Sequence, residues 1–256
     1  MILTMKQNSV RLRFLGKLKD FLSDDHKRVW FPYVVNGSPS VKDTIEAVGV
    51  PHTEIGYIVA NGHCVDFGYQ LQDDDKILLY PVDKKPSVKS IVSVSPKFST
   101  QPRFVLDVHL GKLARHLRLL GFDTLYQKDY ADKEIVETAA KNKRVVLTRD
   151  IGLLKHKKIQ YGYWVRATNP KKQIREIVRR FSLAFKCRPF HRCLECNGKI
   201  KRIAKKKILK RLPMRTRDYY QWFYICRDCH KIYWRGSHYE ELNDFILGLR
   251  RGTDSK

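Results

Sequence analysis

Apolar and polar residues alternate through the first third of the chain and then give way to a longer period. From Val10 to Phe14 in VRLRFLGKL every second residue is apolar, as in a strand with one face inward. KRVWFPYV supplies a second run, and the two predict a pair of strands. SPSVKDTIEAVGV changes to helical spacing, with Ser40 and Asp43 set as a capping box. YIVANGHCVDF reads as two strands turned at Asn61-Gly62, a pair that tolerates the positive φ of a two-residue hairpin turn. The run Asp73, Asp74, Asp75 reads as a solvated turn rather than a metal cluster, and KILLYPV completes a ββαββ unit.

Residues 84–102 are rich in Ser and Pro without a period and read as a linker. From 103 onward strands and helices alternate. FVLD is a buried strand, and GKLARHLRLLG a helix with Leu113, Leu117 and Leu120 on one face. DTLYQ, RVVLTRD and YWVRA are further strands, and DKEIVETAAKNK is a helix. Thr168-Asn169-Pro170 opens the helix KKQIREIVRRF, with proline in its first turn. Such alternation implies a parallel sheet with flanking helices. HYEELNDFILGLR closes the chain as a helix, with Ser237 and Glu240 at capping-box spacing and Leu242, Phe245, Ile246 and Leu249 as its apolar stripe.

Composition adds a partner. Of 256 residues 43% are hydrophobic, enough for a folded core, and the net charge is +25. Residues 1–83 hold 9 Lys and Arg against 11 Asp and Glu, so the excess lies wholly in the remainder. A basic body behind a near-neutral module predicts a polyanionic partner, nucleic acid above all. No apolar run approaches the ~20 residues of a membrane span, and MILTMKQNSV lacks a signal-peptide pattern, so a cytoplasmic protein is expected.

Two strands end on acids, FVL on Asp107 and RVVLT on Asp150 after Arg149, while Asp129, Asp132 and Glu134 precede or open the intervening helix. Open parallel sheets bind ligands outside the carboxyl ends of their strands. Carboxylates gathered there repel one another unless a divalent cation offsets them, and Mg²⁺ or Mn²⁺ suits an all-oxygen site completed by phosphate. Lys112, Arg115 and Arg118 recur every third residue and are expected to hold a nucleic-acid backbone beside it. Read one at a time, the same acids can be helix caps.

CLEC and CRDC place Cys193, Cys196, Cys226 and Cys229 as two C-x₂-C knuckles. Four thiolates complete a tetrahedron around Zn²⁺ with no open position, so the zinc is structural, and the spacing belongs to a reducing compartment. His230 stands where a knuckle glycine is expected, and His191, His230 and His238 are read as neighbours rather than ligands. Residues 187–235 hold 15 Lys and Arg against 3 acids, interleaved with Tyr219, Tyr220, Trp222, Phe223, Tyr224, Tyr233 and Trp234. Cations with aromatic faces suit single-stranded RNA, although a small zinc module also needs rings for its core.

The ββαββ order of residues 1–83 resembles a ubiquitin-like β-grasp of the sulfur-carrier type, but the last strand runs on from Tyr80-Pro81-Val82 without a free Gly-Gly tail, against a carrier role. DVHLGKLARHLRLLGFDT, DKEIVETA and RVVLTRDIGLL resemble the Mut-seven C-terminal (Mut7-C) ribonuclease family, which is PIN-like and carries a C-terminal zinc ribbon; the β-grasp accompanies bacterial members. The resemblance implies Asp107 and Asp150 as metal-binding acids, with Asp132 or Glu134 as a third and Asp129 as a further candidate. It also implies Lys112, Arg115 and Arg149 at the phosphate.

The expected architecture is α/β: a ubiquitin-like β-grasp domain (1–83), a linker (84–102), a PIN-like parallel-sheet nuclease (103–186), and a zinc ribbon with a terminal helix (187–250). The expected function is divalent-metal-dependent hydrolysis of RNA, with a protein partner possible through the β-grasp. The rival is a non-catalytic RNA-binding adapter.

Overall fold

In the computed structural model, the structure describes residues 7–97 and 99–251, the side chains of 237–243 excepted. Two compact units result, one of Met1–Lys97 with Asp150–Trp164 and the other of Phe98–Arg149 with Val165–Lys256.

The first unit is built on a mixed five-stranded sheet of order β2-β1-β5-β3-β4. Its strands are β1 (Gln7–Phe14), β2 (Phe31–Asn36), β3 (Ile55–Ala60), β4 (His63–Val65) and β5 (Lys76–Pro81), with helix α1 (Val41–Val48) between β2 and β3. β1 and β5 run parallel, and the other pairs are antiparallel. Val10, Leu12 and Phe14 face the core with Ile45, Ile58, Ile77 and Leu79, and bear out the alternation seen in the sequence. Ser40 Oγ accepts the Asp43 N–H at 3.1 Å, and Gly49 ends α1 at φ +115°. Asn61 and Gly62 both take positive φ, which turns β3 into β4.

Three details differ from expectation. β1 stops at Phe14 because Gly16, at φ +54°, turns the chain into a 3₁₀ helix over Gly16–Phe21. Lys27–Trp30 stays outside β2. The aspartate turn is not wholly solvated: Asp75 is buried and accepts hydrogen bonds from Asn61 Nδ2 (2.6 Å), Tyr69 Oη (3.1 Å) and Gln72 N (2.8 Å). That carboxylate locks the β3–β4 turn to the start of β5.

Residues 150–164 also belong here, and carry α4 (Ile151–Leu154) and β9 (Gly162–Trp164). His52 Nε2 donates to Ile159 O at 2.8 Å while its other ring nitrogen meets Glu46. The Trp164 N–H donates to Glu54 Oε1 at 2.8 Å, and the Trp164 ring packs on Phe21 at 5.0 Å. Lys155 Nζ reaches Glu46 O at 2.9 Å.

In the second unit β6 (Phe104–Leu106) lies between β7 (Thr124–Leu125) and β8 (Val145–Thr148), parallel to both. Helices α2 (Gly111–Leu119) and α3 (Asp132–Asn142) flank these strands, and α5 (Pro170–Arg180) packs on α2. Asn169 caps α5 through the N–H groups of Lys171 and Lys172, with Pro170 at its first position as expected. A three-stranded antiparallel ribbon follows, β10 (Ile200–Ile203), β11 (Phe223–Cys226) and β12 (Ile232–Trp234), with α6 (Met214–Tyr219) between β10 and β11. The terminal helix α7 (Ser237–Arg251) buries Ile246 and Leu249, whereas the expected Ser237–Glu240 cap, Leu242 and His238 lie outside the described side chains.

Candidate active site and metal centre

Pairing of Leu106 with Leu147 brings the ends of β6 and β8 to one edge of the sheet. Asp107 follows β6 there and is 5% exposed. Its Oδ1 accepts the His109 N–H at 2.9 Å, and its Oδ2 accepts the Thr148 hydroxyl and, at 3.0 Å, the Arg149 N–H. A carboxylate offers about four lone-pair directions, so among the described residues one on Oδ1 has no donor. The first oxygen caps the turn into α2, and the second ties that turn to β8. Asp107 is both a cap and an anchored acid.

The other acids stand differently. Asp150, one residue beyond Arg149, is exposed and caps α4 through Gly152 N at 2.7 Å. Asp132 is exposed at the first position of α3, and Asp129 is exposed before it. Glu134 accepts the Ala131 N–H at 3.0 Å, so Glu134, not Asp132, closes the start of α3. Among the described residues these acids do not form a group of three within one ion's reach.

The basic stripe divides. Lys112 and Arg115 are exposed, the latter paired with Glu195 at 3.3 Å. Arg118, expected at the phosphate, is instead 5% exposed and donates to the carbonyls of Thr124 (2.9 Å), Leu194 (3.1 Å) and Glu195 (2.7 Å). A step of three residues turns about 300° on an α-helix, so the stripe winds around α2 and its third member meets the inner face. Burial lowers the Arg118 pKa, and the nearby cysteines, Glu195 and Asp123 oppose that shift.

The four knuckle cysteines do gather. Their Sγ atoms all lie within 4.8 Å of one another, with Cys193–Cys229 and Cys196–Cys226 each at 3.5 Å. Zn–S bonds of about 2.3 Å require tetrahedral thiolates about 3.8 Å apart, so the donor set fits Zn²⁺. Burial pushes the Cys193 thiol up, but N–H groups of Cys196 and Glu195 and the Tyr233 hydroxyl outweigh it and bring it to about 7, whereas burial raises Cys196 and carries Cys229 to about 12, so a metal would have to displace the protons of those two thiols. Asn197 (φ +66°) and His230 (φ +58°) occupy equivalent left-handed positions after the second cysteine of each knuckle. Asn and His enter that region more readily than most side chains, which is how the second knuckle manages without glycine.

Asp123 joins the ribbon to the sheet. It accepts from Arg144 Nη1 (2.7 Å), Asn197 Nδ2 (2.9 Å) and Arg192 Nη2 (3.0 Å), while Asn197 Oδ1 accepts the Thr124 N–H at 2.9 Å. Burial alone raises the Asp123 pKa, but the hydrogen bonds and charges of these partners hold it below its ordinary value.

Residues 102–246 match the family model of the Mut7-C RNAse domain. The chain belongs to the Mut7-C family. Residues 7–87 match the Mut7-C ubiquitin model, so both modules of this Mut7-C chain are accounted for by family. No curated protein and no solved structure matches it. Sequence reasoning about the Mut7-C site missed Thr148, Asp123 and Tyr126. Thr148 was visible as the threonine of T-R-D and Asp123 as the last residue of LGFD. Tyr126 had no signal: its ring covers Gly111, where a Cβ would stand 2.6 Å from the hydroxyl.

Proposed function

We propose that this Mut7-C protein is a divalent-metal-dependent ribonuclease whose ribbon holds the RNA. The observation that carries the reading is Asp107, a buried acid fixed by three donors at a strand-end edge with one coordination direction left. Mg²⁺ commonly takes only one or two carboxylates and completes its shell with water and substrate phosphate, so a crowded acid cluster is not required. Asp107 and Asp150 would supply ligand oxygens, and Asp132, whose carboxylate is not used as a cap, is a better third acid than Glu134. The bound ion would activate a water for attack on phosphorus and offset charge on the phosphodiester. Lys112, Arg115 and Arg149 would meet phosphate oxygens, and Arg118 is left out of that role. Zn²⁺ in the ribbon is structural.

No helix among the described residues is long and apolar enough to cross a membrane. Reduced metal-binding thiols fit a cytoplasmic location, and the β-grasp module is assigned to a protein partner.

The test is cleavage of labelled RNA with Mg²⁺, with Mn²⁺ and with neither. Asp107→Asn and Asp150→Asn are expected to lower the rate at least ~100-fold while thermal unfolding shows them folded. Equal cleavage by wild type and both variants would remove the assignment. The non-catalytic RNA-binding adapter is the second reading, favoured by the lack of a three-acid group among the described residues; it expects salt-sensitive RNA binding without metal-dependent turnover in the same assay.

A further inference from the structure

The β10–β11–β12 sheet has two unlike faces. Strand pairing sets Ile203 opposite Phe223 and Phe223 opposite Trp234, and these side chains pack with Ile208 and Leu212 as the ribbon's core. The other face carries Arg202 opposite Tyr224 and Tyr224 opposite Tyr233. Trp222 lies two residues before Tyr224, so the period of two places it on that same face. The rings that the composition left undivided are therefore divided by the pleat.

On this second face cations and rings already meet. The Arg202 guanidinium lies 3.7 Å from the Trp222 ring centroid, and that of Arg235 lies 5.9 Å from Tyr224. Phe190 stacks on Tyr224 at 4.7 Å and 23°. Trp222 is nonetheless 47% exposed. Arg202 lies over the indole, yet nearly half of Trp222 stays open to solvent, in a module with 15 Lys and Arg against 3 acids. An indole left open among so many cations suits a ligand that combines an aromatic face with negative charge. An unpaired nucleotide has both, whereas a duplex hides its base faces and offers only phosphates.

We propose that this face of the ribbon is a stacking platform that selects single-stranded RNA, with one base on Trp222 and the adjoining phosphate on Arg202. The proposal rests on RNA as the ligand of this chain and adds which form of RNA is bound.

Fluorescence anisotropy tests it on the zinc-loaded full chain without added Mg²⁺ or Mn²⁺, using a labelled ten-nucleotide RNA, its duplex and an abasic strand of the same length. Stacking on an aromatic side chain is worth about 1–3 kcal/mol per base, so Trp222→Ala is expected to weaken the single strand about 5- to 150-fold. Binding of the duplex and the abasic strand should stay within about twofold, and Trp222→Phe should restore most of the loss. Arg202→Gln, which leaves the core face untouched, should flatten the salt dependence of single-strand binding by about one phosphate contact, a slope change of roughly 0.7. Zinc content and thermal midpoint report folding for each variant. Equal losses on single strand and duplex, or no loss on either, overturn the platform, as does tighter binding of an acidic aromatic peptide than of RNA. Turnover is not read, so a protein that binds in this way without cleaving refutes only the nuclease.

Discussion

Replacing Asp123 by alanine tests the join between sheet and ribbon. The wild-type carboxylate is 16% exposed and faces two guanidinium groups, those of Arg144 (8% exposed) and Arg192 (18%). Removing it leaves both cations without their acid, and Asn197 without one acceptor. Breaking a buried pair from one side costs about 3–5 kcal/mol; because Arg192 keeps some water, about 3 kcal/mol is expected. For a unit of this size roughly 3 °C is lost per kcal/mol, so the thermal midpoint should fall by about 9 °C. A neutral surface hydrogen bond would give a third of that.

Acid sharpens the test. The folded Asp123 pKa is depressed by Arg144, Asn197 and Arg192 against burial, so its stabilisation is fully present above the unfolded carboxylate pKa and is lost as pH falls through the folded pKa. Wild type and Asp123→Ala should therefore differ most near neutrality and converge in acid. Thermal scans by circular dichroism across pH measure this directly. A shift under about 3 °C, or one that does not change with pH, would refute the account. So would a cycle with Arg192→Ala showing less than ~0.5 kcal/mol of coupling.

Two further outcomes are expected. Gly121→Ala should destabilise more than Gly111→Ala in chemical denaturation, because its Cβ would meet the Arg188 backbone carbonyl at 2.0 Å with φ at +92°, whereas Gly111 faces the end of the Tyr126 side chain, which can move; a reversed order would contradict the packing. Glu54→Ala should leave the Trp164 N–H without its acceptor and cost about 1–3 kcal/mol, seen as faster amide exchange within residues 150–164, and unchanged exchange would show that Glu54 does not hold this segment.

Much of this was legible from short-range pattern. Alternation over Val10–Phe14, the Ser40 cap, the Asn61-Gly62 turn and the Asn169-Pro170 helix start each depend on neighbours in the chain, and each appears where the residues put it. The four cysteines were legible because C-x₂-C spacing is itself the geometry of a knuckle. What escaped depends on partners remote in sequence. Asp75 looked solvated because two of its three donors, Asn61 and Tyr69, lie 14 and 6 residues away. Nothing in residues 150–164 announces that Ile159 meets His52, 107 positions earlier. Arg118 looked like one more surface cation, because its acceptors include carbonyls of the ribbon 76 and 77 residues on.

The segment that carried the resemblance, DVHLGKLARHLRLLGFDT, can now be divided by what each residue touches. Gly111 admits the Tyr126 ring, and Leu113 and Leu117 are fully buried. Arg118 holds ribbon carbonyls, Gly121 leaves room for the Arg188 backbone, Asp123 clasps Arg144, Arg192 and Asn197, and Thr124 donates to Asn197. Most of the motif thus encodes the attachment of the cysteine ribbon to a parallel sheet, a requirement that stays the same whatever the substrate is. Asp107 is the exception: a buried carboxylate costs stability unless its charge is answered, and here three donors answer it while leaving one direction unfilled. A cap alone would be served as well by Asn or Ser, but neither would present an anion at the sheet edge. The motif therefore predicts two separable phenotypes. Changes at Gly111, Leu117, Arg118, Gly121, Asp123 and Thr124 should act through stability and ribbon docking, and changes at Asp107 should act on function in protein that still folds.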